Sequence, residues 1–228
     1  MRQTKLTQIM NSKILQKLDE LKKPCHKIIF KKYYEYWEEV DKNIWKTSNC
    51  VDDALEDDKG RFCLFQIFNF KGSSMPQNIT KIQYFDCGSD KLVVSTKPEK
   101  SIPANEIEIE NGLIDFEPAL SLPDWETLEN FFVEDYQFIK KIIKEENPEL
   151  DEGEYYEIYD KYVEKTIGHE LHSSFIGGYL NQCIHFHPDK EFYEKHQFIM
   201  QIDIETGIIH IFQNLEDKTV FKHFLAHS

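Results

Sequence analysis

The chain has 228 residues, enough for one large domain or two interlocked halves, and a chain of this length buries roughly 70 to 75% of its extended surface on folding. Hydrophobic residues at 40% and aromatics at 14%, including 17 Phe and 11 Tyr, exclude a disordered or coiled-coil chain and favour a β-rich globular one. A formal charge of −14, from 41 Asp and Glu against 27 Lys and Arg, with Arg2 and Arg61 the sole arginines, argues against nucleic acid and anionic membranes and makes a basic protein the natural complement.

The five cysteines, Cys25, Cys50, Cys63, Cys87 and Cys183, are odd in number, dispersed and never spaced Cys-x-x-Cys, which predicts neither a disulfide framework nor a zinc ribbon and fits a reducing cytoplasm. Leu6, Ile9, Met10, Ile14, Leu18 and Leu21 recur at three- and four-residue steps. They predict an amphipathic helix that stops near Pro24, too interrupted by charge for a signal peptide or a membrane span. A strand over His26 to Phe30 that turns helical toward Val40 is expected next. The acid-rich stretch from Thr47 to Gly60 reads as a loop.

From Arg61 the pattern changes. Phe62 to Phe70 is apolar almost throughout apart from Gln66 and Asn69, as in a strand covered on both faces, and Ile79 to Phe85 and Leu92 to Thr96 continue the sheet. Glu106 to Glu110 alternates as a half-exposed strand, and Asn111-Gly112 sets a tight turn into Leu113 to Ala119. Asp124 caps a helix through Phe132. Tyr136, Ile139, Ile142 and Ile143 mark a second helix ending before Pro148, and Tyr155 to Lys165 a third. Gln197 to Phe212 has the form of a β-hairpin turning at Glu205-Thr206-Gly207, and Val220, Phe221 and Phe224 offer a last strand.

That hairpin repeats an earlier one. Phe65-Gln66-Ile67 matches Met200-Gln201-Ile202, and Ile82-Gln83-Tyr84-Phe85 takes the place of Ile209 to Phe212. The expected fold is therefore α+β, mainly β, with two related antiparallel β-rich halves produced by internal duplication and helices at the periphery. Its parts are an N-terminal helix and lead-in (1-60), a first β half (61-122), a helical insert (123-170) and a second β half (171-228). Gln66 and Gln201, at one offset inside apolar strands, are expected to hydrogen-bond to nearby backbone as structural staples, because an unpartnered buried amide costs on the order of 1 to 3 kcal/mol.

Several pieces in this order resemble the YwqG-like family of bacterial cytosolic proteins of unassigned function. The carriers are Phe65-Gln66-Ile67, Pro76, Tyr84-Phe85, Leu120-Ser121-Leu122-Pro123, Ile176-Gly177-Gly178-Tyr179 and Met200-Gln201-Ile202-Asp203 with Gly207 and Phe212. The resemblance covers most of the chain from about Cys63 and implies one compact β-rich domain of two related halves. The chain departs from the family pattern in having Ser174 in place of a histidine before the paired glycines and Leu180 in place of a proline after the tyrosine. A divergent member is implied. Some relatives lie beside secreted-toxin genes, so the resemblance also suggests an immunity protein.

Chemistry is thinly marked. His185 and His187 share one strand face at a spacing that can bind zinc, and His169-Glu170-Leu171-His172 is one residue short of the helical metalloprotease pattern, so the expectation is no metal. Cys183 lies near His185 without a legible orienter or oxyanion donors, and Gly177-Gly178 lacks the rest of a phosphate loop and reads as a tight turn. The most unusual stretch runs from Glu145 to Asp160, with eight acids and no base between Lys144 and Lys161. Such a run is either a solvated helix face or a docking surface for a basic partner. In the docking reading its members are Glu149, Asp151, Glu152, Glu154, Tyr155, Tyr156, Glu157 and Asp160. The sequence thus predicts a non-enzymatic cytoplasmic binding protein without catalytic residues or cofactor, most concretely an immunity protein neutralising a basic toxin. The alternatives are a hydrolase, metal-independent or zinc-dependent, using the cleft between the repeats, and a small-ligand or peptide module.

Overall fold

The structure is a computed structural model, and it describes residues 11–31, 45–47, 62–69, 72–86, 91–97, 113–169, 174–180, 190–204 and 207–226. The chain forms two compact units. One comprises Met1–Lys23, Leu120–His172 and Tyr179–Gln182; the other comprises Pro24–Ala119, Ser173–Gly178 and Cys183–Ser228.

The first unit is helical: α1 (Ser12–Leu21), α2 (Trp125–Phe131), α3 (Val133–Glu146) and α4 (Tyr155–Ile167). Three of the boundaries have a clear local cause. Asp124 caps α2 by accepting from Thr127 N at 2.7 Å, as the sequence predicts, whereas α1 starts only after Asn11, which is extended and accepts from Lys13 N at 2.9 Å, so the expected stripe from Leu6 is not one continuous helix. Gly168, at φ 77, ends α4 in the left-handed conformation that a Cβ would oppose. The apolar stripes of all four helices meet in one core. It holds Ile14 and Leu18, Leu128, Ile139 and Ile143, and Tyr155, Tyr159 and Val163. The Trp125 ring lies 4.8 Å from that of Tyr136 and 5.3 Å from that of Tyr159.

The second unit is built on a sheet. Its described strands are β1 (Lys23–Lys31), β2 (Trp45–Thr47), β3 (Phe62–Phe68), β4 (Lys81–Asp86), β5 (Lys91–Ser95), β6 (Leu113–Ser121), β7 (Phe175–Gly177), β8 (His196–Ile204), β9 (Gly207–Asn214) and β10 (Phe221–Ala226), with a short helix α5 (Lys190–Lys195) before β8. Their order across the sheet is β10-β9-β8-β7-β1-β6-β2-β3-β4-β5. The fold is α+β and mainly β.

Two differences from the sequence reading stand out. β1 starts three residues before the expected strand, at Lys23, and runs through the expected His26 to Phe30, the helical continuation toward Val40 lying outside the described residues, and Thr47 belongs to a strand rather than to a loop. The stretch before residue 61 is thus more than a lead-in, because β1 and β2 lie in the middle of the sheet. Both strands pair with elements distant in sequence, which local periodicity does not encode. The expected strand at Glu106 to Glu110, the turns at Asn111-Gly112 and Glu205-Thr206, and the loop from 48 to 60 lie outside the described residues.

The duplication is visible in the register. In the first hairpin the pairs are Phe65↔Tyr84, Gln66↔Gln83 and Ile67↔Ile82; in the second they are Met200↔Ile211, Gln201↔His210 and Ile202↔Ile209. Each hairpin carries a register shift just before these pairs, between Cys63 and Phe65 in one and between Phe198 and Met200 in the other. A bulge at the same offset in both copies is a feature that chance pairing would not reproduce. Third strands extend the match, Val93 lying opposite Gln83 and Phe224 opposite His210. The two three-stranded meanders form the two ends of the sheet. The match stops at the next strand inward, since β2 runs parallel to β3 whereas β7 runs antiparallel to β8.

The sheet curls so that its ends approach. The Tyr84 ring meets the His223 ring edge-on at 5.6 Å, and Asn78 Nδ2 donates to Lys218 O at 3.1 Å. One face of both meanders lines the enclosed core, with Phe65, Ile67, Ile82 and Tyr84 from one copy and Met200, Ile202, Ile209 and Ile211 from the other. On the opposite face of the second meander, Phe192 of α5 packs edge-on against Phe212 and Phe224.

Candidate functional site

The acidic run lies in the helical unit. Residues 120 to 169 carry fourteen Asp and Glu against five Lys, a net −9 of the chain's −14. The run begins at the end of α3, passes through a 3-10 turn over Glu152–Glu154 and enters α4. Asp151 and Glu154 form a reciprocal capping box in which Asp151 N donates to Glu154 Oε2 at 2.9 Å, so Glu154 has a structural task as well as a charge. Glu149, Asp151, Glu152, Glu154, Tyr156 and Glu157 are exposed, and Asp160 is half-buried.

Tyr155 is a correction to the sequence reading. It is 2% exposed and belongs to the core, as do Tyr159 and Tyr162, so it is not part of a docking face. Helical geometry explains this: residues 155, 159, 162 and 163 are spaced by four and three and share one stripe, while Tyr156 is rotated by about 100° onto the solvent side. The Tyr159 hydroxyl donates to Pro123 O at 2.8 Å and the Tyr162 hydroxyl accepts from Asn11 N at 2.7 Å, so each buried phenol is satisfied. The same spacing was available in the sequence. Tyr156 is the one tyrosine of the run left on the surface, 46% exposed, its hydroxyl 3.5 Å from Glu157 Oε1.

Tertiary structure also brings counter-charge that the run itself lacks. Lys140 Nζ lies 3.0 Å from Glu152 Oε2 and Lys144 Nζ 4.0 Å from Glu152 Oε1. The hydrogen bond from Lys140 holds the Glu152 carboxyl below the usual carboxylate range and raises the Lys140 ammonium in turn. Lys141 lies 3.9 Å from Glu145, and Asn11 Nδ2 donates to Glu146 Oε1 at 2.6 Å. Glu145 and Glu152 are therefore partly neutralised by lysines of α3.

The two repeat glutamines occupy equivalent buried positions, Gln66 at 2% exposure and Gln201 at 0%. The expected backbone partner is not what Gln66 has. Its Oε1 accepts from Gln83 Nε2 at 2.7 Å across the strands, and its Nε2 has no hydrogen-bond partner. The second copy places the buried His210 opposite Gln201 at the position of Gln83.

His169 Nε2 lies 2.8 Å from Leu120 O. His172, Cys183, His185 and His187 lie outside the described residues. Among the described residues no group of three or more His, Cys, Asp or Glu side chains is arranged to hold a metal. Cys25 is buried, which pushes its thiol up to about 11 and leaves it unreactive at neutral pH. Gly177 and Gly178 have φ of 75 and 77, and a Cβ at Gly177 would lie 2.5 Å from the Ser74 Cβ, so a close chain approach accounts for a glycine there. No helix among the described residues is long and apolar enough to cross a membrane. Neither a protein-family model nor a curated protein matches the chain.

Proposed function

We propose that this chain is a cytosolic binding protein, a divergent member of the YwqG-like family that acts as an immunity protein by capturing a basic toxin on its helical unit. One observation carries the reading. Glu149, Asp151, Glu154 and Glu157 are exposed acids of one short stretch of chain that also carries Tyr156, 46% exposed, its hydroxyl 3.5 Å from Glu157 Oε1. Carboxylates of one sign accelerate the encounter with a cationic protein, and a rigid aromatic among them supplies contact area that slows departure. No catalytic step, cofactor or metal belongs to this reading.

The test separates the two contributions. A partner recovered with tagged bait from the native cell is expected to be basic, and its association rate should fall steeply as salt shortens the screening length. Replacing Glu149 and Glu157 together by glutamine keeps side-chain size and leaves the Lys140–Glu152 pair and the Asp151–Glu154 cap intact, so it should slow association, while Tyr156→Ala should speed dissociation. If neither change alters binding or the protection of a toxin-expressing cell, this surface is not the docking site. If deletion of the gene leaves the cell fully resistant to its siblings, immunity is refuted.

A further inference from the structure

His26 and Ser74 are 48 residues apart in sequence and meet in the sheet unit. His26 projects from β1, and Ser74 lies in the connector between β3 and β4. The Ser74 Oγ is 3.0 Å from His26 Nδ1, and Ser74 N donates to the same nitrogen at 3.3 Å. A backbone N–H can only donate, so Nδ1 must be an acceptor and the imidazole proton sits on Nε2. Against an unprotonated Nδ1 the Ser74 hydroxyl can only donate, and it shares the one lone pair there with the weaker, longer contact from Ser74 N.

Three further features suit a nucleophile. Both residues are part-exposed, so the pair is neither sealed in the core nor free to rotate in water. Ser74 is pressed against Gly177, where an added Cβ would stand 2.5 Å from the Ser74 Cβ and 3.3 Å from its Oγ, and this contact restricts where the hydroxyl can go. Burial lowers the His26 pKa, which keeps the ring neutral and able to accept a proton at pH 7.

We propose that Ser74 is a nucleophile with His26 as its general base, reactive toward activated acyl compounds such as aryl esters. The Ser74 oxygen attacks the carbonyl carbon while its proton passes to His26 Nδ1. The aryloxide leaves with that proton, and Ser74 becomes an acyl ester. A water molecule then gives its proton to His26 Nδ1 and attacks the ester, releasing the carboxylic acid as the proton returns to Ser74. An aryloxide is a good enough leaving group that its departure needs no proton donor beyond His26. This activity goes beyond toxin capture and uses the other unit, so failure of one does not affect the other.

The test uses the whole chain, a fluorophosphonate probe and p-nitrophenyl acetate. Wild-type protein should take up one probe, mapped by mass spectrometry to Ser74, and Ser74→Ala should abolish both labelling and ester cleavage. Ser73→Ala should behave as wild type, because the Ser73 hydroxyl is engaged in accepting from Met75 N at 2.9 Å. His26→Gln should slow labelling by about a hundredfold, the usual scale of a lost general base. A variant that fails to fold does not block the test, because the wild-type rate should itself fall as acid protonates His26. Absence of an adduct, an adduct on another residue, or a rate independent of pH between 5 and 8 would each overturn the proposal.

Discussion

The cross-strand pair of Gln66 and Gln83 makes a quantitative prediction, because the two glutamines are unequally satisfied. Gln66 accepts one hydrogen bond from Gln83 and leaves its own Nε2 unpartnered in a site 2% exposed. Gln83→Met removes the sole donor to Gln66 and leaves both ends of a buried amide without partners, which should destabilise the protein by about 1 to 3 kcal/mol. Gln66→Met loses the same bond and takes the acceptor from the buried Gln83 Nε2, but it also removes the unpartnered nitrogen of Gln66, so its cost should not exceed that of Gln83→Met. The double variant deletes every polar atom of Gln66 and should be no less stable than Gln83→Met alone. The expected coupling is about 1 to 2 kcal/mol in the stabilising direction, or roughly 2 to 8 °C in melting temperature for a chain of this size. Urea unfolding of the four proteins, followed by circular dichroism, measures the cycle. Additivity within about 0.5 kcal/mol would show that the two amides do not depend on each other and would refute the reasoning.

Gly177→Ala combines a left-handed φ of 75 with a contact of 2.5 Å to the Ser74 Cβ, so it should destabilise by more than the 1 to 2 kcal/mol of backbone strain alone, and Ser74→Gly in the same chain should recover the steric part. Equal melting temperatures for the single and double variants would refute that. His26 has its pKa lowered by burial, so the unfolded chain binds the proton more readily than the folded one. Its contribution to stability is therefore complete above the unfolded value of about 6.5 and is lost as pH falls through the lower folded value. Between pH 7.5 and 5.5 the melting temperature of His26→Gln should fall less than that of wild type, and an equal or steeper fall would refute the assignment.

What the sequence determined by itself was local or repeated. Asp124 identifies the start of α2 because a carboxylate before an apolar periodic run has one obvious use. The repeat was legible because Gln66 and Gln201 interrupt otherwise apolar strands at one offset, and the matched bulges and pairings confirm that the two copies fold alike. The helical stripe that buries Tyr155 and Tyr159 and exposes Tyr156 was also present in the sequence, in a spacing of four and three. Only tertiary structure decided the rest. The neutralisation of Glu152 by Lys140 requires α3 to fold back along the 3-10 turn, and the pairing of Gln66 with Gln83 depends on a register that a one-residue slip would abolish. The placement of β1 beside β7, and the meeting of His26 with Ser74 against Gly177, join segments dozens to more than a hundred residues apart. Such contacts leave no trace in periodicity, because each partner's own neighbours are unaffected by which distant strand it joins.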